Sequence, residues 1–122
     1  MLYTANVLDI QKIKKKLKVY YIIKNHGNDV VSPEQMDLDH YKRGLLTWEG
    51  FKLNYLMKVY KPEATEWMRN VSEKAASDDV VLVDEEKDAN HSPRKLLAEL
   101  MMNMYHGSMK LYYKGEITNK LS

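Results

Sequence analysis

The sequence predicts an α/β fold, a small three-layer domain with a short, mainly parallel sheet flanked by helices. Three observations carry this. Two short segments, Lys18 to Ile23 (KVYYII), apolar from Val19 on, and Val80 to Val83 (VVLV), are rich in β-branched or aromatic residues, as strands buried on both faces are. Around them lie segments whose apolar residues recur at spacings of three and four, the helical period. The order strand, helix, strand, helices, strand, helix implies parallel strands joined by crossovers.

Each element has its own signal. Leu2 to Ala5 is short and rich in strand formers. Val7, Ile10, Ile13 and Leu17 mark the buried side of a helix over Val7 to Leu17, with Lys12, Lys14, Lys15 and Lys16 on its polar side. Asn25 to Pro33 is a loop, because Gly27 and Asn28 accept left-handed backbone angles and Pro33 breaks structure. Asp37 to Arg43 is a short helix stopped by Gly44. Thr47 caps the next helix, whose inner face is Trp48, Phe51, Tyr55 and Val59. Pro62 suits the first turn of a further helix that runs to about Ala76 and buries Trp67, Met68, Val71 and Ala75. Val80 to Val83 is then the central strand, and Asp84 to Asn90 an acidic loop. Ser92 and Pro93 open the last helix, with Leu96, Leu97, Leu100, Met101 and Met104 as its apolar stripe and Gly107 as its end. Residues 109–122 read as an edge strand, a hairpin or a tail.

Length and composition bound the function classes. The 122 residues suit a single domain over 1–122, and 44% hydrophobic with 30% charged residues is ordinary for a globular chain. A net charge of +2 gives no global pull toward nucleic acid or a membrane. The longest apolar run is far short of the roughly 20 residues of a membrane helix. There is no basic region and apolar core after Met1, so no secretory signal is expected and the expected location is cytoplasmic. The absence of cysteine excludes disulfides, thiolate nucleophiles and cysteine-ligated zinc. Charge is uneven: lysines crowd residues 9–24 and carboxylates crowd residues 73–88. Such blocks are usually solvated surface.

A parallel sheet places ligands outside the carboxyl ends of its strands. Thr4 to Asn6, Lys24 to His26 and Asp84 to Arg94 converge there. The start of the last helix offers backbone N–H groups and a favourable dipole to an anion. Arg94 in the first turn adds a bidentate clamp, Ser92 and Lys95 flank it, and Asp84 or Glu86 would orient a hydroxyl or a cation. The competing reading pairs Arg94 with Glu85, Glu86 or Asp88. His26 and His91 follow strand and loop toward the same crevice, but no HxxxH or HExxH spacing is present. Asp84 and Asp88 are weak candidate ligands for Mg²⁺, a cation that commonly uses one or two carboxylates with a substrate phosphate. Ser92 has no base positioned to activate it, and its capping role accounts for it. Tyr112 and Tyr113 beside Lys110 and Lys114 give only weak support for single-stranded nucleic acid.

Three blocks resemble the DUF488 family of small α/β proteins. Val83-Asp84-Glu85-Glu86-Lys87-Asp88 followed by Ser92-Pro93-Arg94 is similar to the family's L-C-Y-E-K-D and C-H-R. Tyr41-Lys42-Arg43-Gly44 with Trp48, Phe51 and Tyr55 is similar to its Tyr-Lys-x-Gly and aromatic helix. Leu2-Tyr3-Thr4-Ala5 resembles its first strand. The similarity runs over most of residues 2–102. It departs where chemistry would matter: Asp84 and Ser92 stand at the family's two cysteines and Pro93 at its histidine.

Three function classes follow. The first is a binding module or vestigial enzyme for a phosphorylated or otherwise anionic, nucleotide-like ligand, using Arg94, Ser92, Lys95, Asp84, Glu86, Thr4 and His26. The second is a metal-assisted hydrolase or transferase on a nucleotide or nucleic acid, through Asp84 to Asp88. The third is a regulatory module with a protein partner. Whether the chain is catalytic stays open at this level.

Overall fold

The computed structural model describes residues 1–13 and 16–118. Four parallel strands, β1 (Leu2–Asn6), β2 (Lys18–Tyr21), β3 (Val80–Asp84) and β4 (Tyr113–Glu116), form one sheet in the order β2-β3-β1-β4. The helices are α1 (Val7–Ile10), α2 (Gln35–Lys42), α3 (Trp48–Val59), α4 (Pro62–Ser77) and α5 (Pro93–Met109). The α/β class and the parallel sheet are as the alternation of segments requires.

Strand side chains alternate between faces. Leu2, Ile22, Val80 and Leu82 join Phe51, Val59, Met68, Leu97 and Met101 in the main core beneath α2–α5. Ala5, Val81, Val83 and Ile117 face the other way, under Val7, Ile10, Ile13 and Leu17. The chain therefore leaves β1 across one face and leaves β2 and β3 across the other. The two outgoing directions part between β1 and β3, the usual place for a crevice in such sheets.

Several expectations are corrected. The helix drawn over Val7 to Leu17 is one turn, Val7–Ile10, capped by Asn6. Lys12 and Lys16 stand four apart with like charge, which opposes helix continuation. Lys14 and Lys15 lie outside the described residues. The second strand stops at Tyr21 and is half-buried, because it is a sheet edge; Ile22 beyond it is buried. A short 3₁₀ turn, Asp29–Val31, sits within the Asn25 to Pro33 loop. The helix drawn from Asp37 begins at Gln35. Gly107 does not end α5, which continues to Met109 and closes on Lys110 at φ 53°. The tail supplies β4, a parallel edge strand with no hairpin; residues 119–122 lie outside the described residues.

β4 pairs irregularly. Leu2 lies opposite Tyr113 and Thr4 opposite Glu116, so three steps on β4 match two on β1. Gly115, at φ 94°, takes the extra step. This bulge places Tyr113 and Glu116, which a regular strand would turn to opposite faces, on the same side as Thr4.

Candidate functional site

Alternation sends Thr4, Asn6 and Asp84 to the α5 side at the carboxyl end of the sheet, and the bulge adds Glu116. Arg94 enters from the first turn of α5. It is fully buried, the largest such side chain among the described residues. Its Nε donates to both carboxylate oxygens of Glu116 at 3.1 Å, and Nη2 donates to Oε1. Its Nη1 donates to Asp84 Oδ1 and, at 2.8 Å, to the Glu86 carbonyl. Asn6 Nδ2 donates to the same carbonyl at 2.9 Å. Thr4 Oγ1 donates to Glu116 Oε2 at 2.7 Å and shares a 2.7 Å hydrogen bond with the Tyr113 hydroxyl.

Asp84 is the anion at the helix start. Its Oδ2 accepts the Arg94 backbone N–H at 2.9 Å, and Oδ1 accepts the Glu86 N–H at 2.9 Å. Ser92 Oγ accepts the Lys95 N–H at 3.4 Å, and the Ser92 carbonyl accepts the Leu96 N–H. With Pro93 lacking an N–H, these first-turn groups are directed to protein acceptors. Burial raises the Asp84 carboxyl above its ordinary range, against the pull of Arg94 and the two amides. Burial lowers Arg94, but its hydrogen bond to Glu116 and the charge of Asp84 outweigh this and hold it above its ordinary value.

The expected set is thus divided. Arg94, Asp84, Thr4 and the Glu86 backbone meet in one buried network. Ser92 caps α5, and Lys95 Nζ donates to Asn90 Oδ1 at 2.9 Å, away from the network. His26 is exposed beside Tyr21, 6.2 Å between ring centres. The pairing of Arg94 with Glu85, Glu86 or Asp88 side chains is replaced by Asp84 and Glu116. Asp84 points into α5, and Asp88 instead holds His91 Nδ1 at 2.7 Å, a contact that lowers the Asp88 carboxyl. Among the described residues no group of three or more His, Asp or Glu side chains is placed to hold a metal ion. Glu116 was missed by sequence reasoning. Its signal was the Gly115 preceding it, which marks a bulge once a strand is drawn there.

A crevice opens beside this network, at the carboxyl ends of β2 and β3. Ile22, Lys24, Leu38, Lys42, Glu86 and Pro93 line it, together with Asp84, and it is small. Lys42 Nζ lies 3.2 Å from Glu86. Lys24 Nζ lies 3.1 Å from Glu34, whose other oxygen holds Lys58 at 2.6 Å. Those two lysines, Lys58 foremost, keep the Glu34 carboxyl below its ordinary range. Trp48 stacks on Phe51 at 5.4 Å and meets His91 edge-on at 5.1 Å.

The match to a known family, Domain of unknown function DUF488, covers residues 7–101, through α1, β2, β3 and the start of α5. The chain belongs to the DUF488 family. No curated protein and no solved structure matches it. Within this DUF488 domain, Asp84 and Ser92, standing where the family pattern has cysteines, both serve the start of α5. β4, with Glu116, lies beyond the matched span.

No helix among the described residues is long and apolar enough to cross a membrane.

Proposed function

We propose that this DUF488 protein binds a small phosphorylated or otherwise anionic ligand in the crevice at the carboxyl ends of β2 and β3. The observation that carries this reading is the placement of Lys24 and Lys42 on that crevice, Lys24 tied to the half-exposed Glu34 and Lys42 to Glu86 in the crevice wall. The Lys24–Glu34 pair faces solvent, and exposed pairs contribute about 0–1 kcal/mol, so a ligand anion displaces Glu34 from Lys24 at little cost. A narrow crevice suits one charged head group, such as the phosphate of a nucleotide or a phosphosugar, better than a whole cofactor. Arg94 acts behind it as a brace for Asp84 and the start of α5.

A thermal-shift titration tests this. The probes are inorganic phosphate, a nucleoside monophosphate, a sugar phosphate and a short oligonucleotide, each with and without Mg²⁺. At about tenfold excess over its dissociation constant, a ligand should raise Tm by about 5 °C. The Lys24→Ala/Lys42→Ala variant should bind at least tenfold more weakly. Equal affinity in that variant, or no shift with any probe, overturns the reading. A shift that requires Mg²⁺ and disappears in Asp84→Ala would favour metal-assisted chemistry instead.

A further inference from the structure

Arg94 has the geometry of an anion receptor, with its anion supplied by the chain itself. The Glu116 carboxylate lies against the Nε and Nη2 edge of the guanidinium, the bidentate arrangement by which arginine recognises carboxylates and phosphates. Thr4 Oγ1 supplies a third donor to it. The receptor is built from interior groups: Arg94 and Thr4 are both fully buried. Its occupant is not. The Glu116 side chain keeps 23% of its exposure. It also sits on a four-residue strand at the sheet edge, joined to β1 through a bulge. The occupant comes from outside residues 7–101, whereas Arg94 lies within them.

We propose that β4 is a removable strap over a carboxylate- or phosphate-class anion site formed by Arg94 Nε, Arg94 Nη2 and Thr4 Oγ1. Glu116 fills that site in the closed state. An external anion takes its place when β4 lifts from β1, so anion binding and release of the C-terminal segment are one event. Asp84 stays on Nη1 throughout and holds the guanidinium in orientation. The exchange replaces one anion by another, so Arg94 keeps an anionic partner on this edge. That keeps the open state free of an unpaired buried charge. The site is separate from the Lys24 and Lys42 crevice, and the proposal does not depend on that reading.

The probes are formate and inorganic phosphate, with Glu116→Ala to vacate the site and Glu116→Gln to keep its shape without the charge. Glu116→Ala should show a saturable Tm rise with formate or phosphate, at an affinity at least tenfold above wild type and retained with Lys24→Ala/Lys42→Ala. Glu116→Gln should fall between the two. In the wild type, amide hydrogen exchange of residues 113–116 should accelerate at least tenfold at saturating anion while β3 stays protected. Folded Glu116→Ala with no more response than wild type overturns the proposal. So does a response abolished by the crevice lysine substitutions, which would assign the anion to the crevice. If Glu116→Ala does not fold, the wild-type exchange experiment decides alone, and unchanged exchange in β4 overturns it.

Discussion

Arg94 and Glu116 meet side-on at the carboxyl end of the sheet, 22 residues apart, and join the first turn of α5 to the last strand. The pair exists because two independent local features agree. The Ser92-Pro93 start of α5 fixes where Arg94 emerges. The Gly115 bulge turns Glu116 to the same face. With Asp84, the buried Arg94 cation is flanked by two carboxylates, one buried and one partly exposed.

Arg94→Met should therefore be among the most damaging single substitutions in the protein. It strands two carboxylates near each other with no cation, and removing one partner of a buried pair costs about 3–5 kcal/mol. The same change combined with Asp84→Leu and Glu116→Leu should recover much of the loss, because apolar residues replace the whole cluster. Urea denaturation of the single and triple variants measures both. A single variant within about 1 kcal/mol of wild type would show that the cluster does not hold the fold together.

The sheet was legible in the sequence because Val80 to Val83 is apolar at every position, as a strand covered on both faces is. α3 and α4 were legible because Thr47 and Pro62 mark their starts. The limits lay in tertiary effects. Val7 to Leu17 has a helical period, yet Ile13 and Leu17 cover the second face of the sheet from beyond the end of α1. In the site, Arg94, Asp84 and Thr4 were found because each sits at a strand end or helix start, positions that chain order reveals. Glu116 was not, since its partner depends on the register of an edge strand, and its one local signal, the Gly115 bulge, has meaning only once that strand is drawn. His26 illustrates the converse: it follows a strand, but Gly27 at φ 92° and the turn at Asn25 carry it outward.

Gly115→Ala should weaken β4 without touching any other group. A Cβ there meets nothing within 4 Å. The expected cost is thus backbone strain alone, about 1–2 kcal/mol for a side chain forced to positive φ. Hydrogen exchange should localise the effect, with faster exchange in residues 113–116 and unchanged protection in β3. Strain at this position loosens the hold of Glu116 on Arg94. A shift spread evenly over the sheet would contradict a strap anchored by the bulge.

Tyr55→Phe probes the opposite wall of the core. Tyr55 is buried, and its hydroxyl donates to the Val31 carbonyl at 2.6 Å, which pins the loop before α2 to α3. Deleting the hydroxyl leaves that carbonyl without this partner, at a cost of about 1–3 kcal/mol. Burial, aided by the Asp84 charge, also raises the hydroxyl well above the ordinary tyrosine range. Alkaline absorbance titration should therefore show Tyr55 ionising only as the protein unfolds. Ionisation together with the exposed tyrosines would place its ring in contact with water.

Glu34 and Asp84 should titrate on opposite sides of their ordinary values, and their effects on stability have opposite signs. Glu34 is held low by hydrogen bonds from Lys58 and Lys24. Its folded pKa lies below the unfolded value of about 4.3, so its contribution is present above that pH and is lost as pH falls through the folded value. Because Glu34 is half exposed, the contribution is small. Asp84 is held high by burial. Its folded form binds the proton more tightly than the unfolded chain does, so its effect on stability declines as pH rises from about 3.9 through the folded value. Carboxyl-carbon NMR titration resolves the two residues. Lys58→Ala should move Glu34 upward and leave Asp84 in place, since Lys58 touches Glu34 and Ser32 and not the Arg94 network. Glu116→Gln, which alters the Arg94 network only, should leave Glu34 unchanged. A joint movement of both carboxyls in either variant would mean that the crevice and the buried network titrate as one unit.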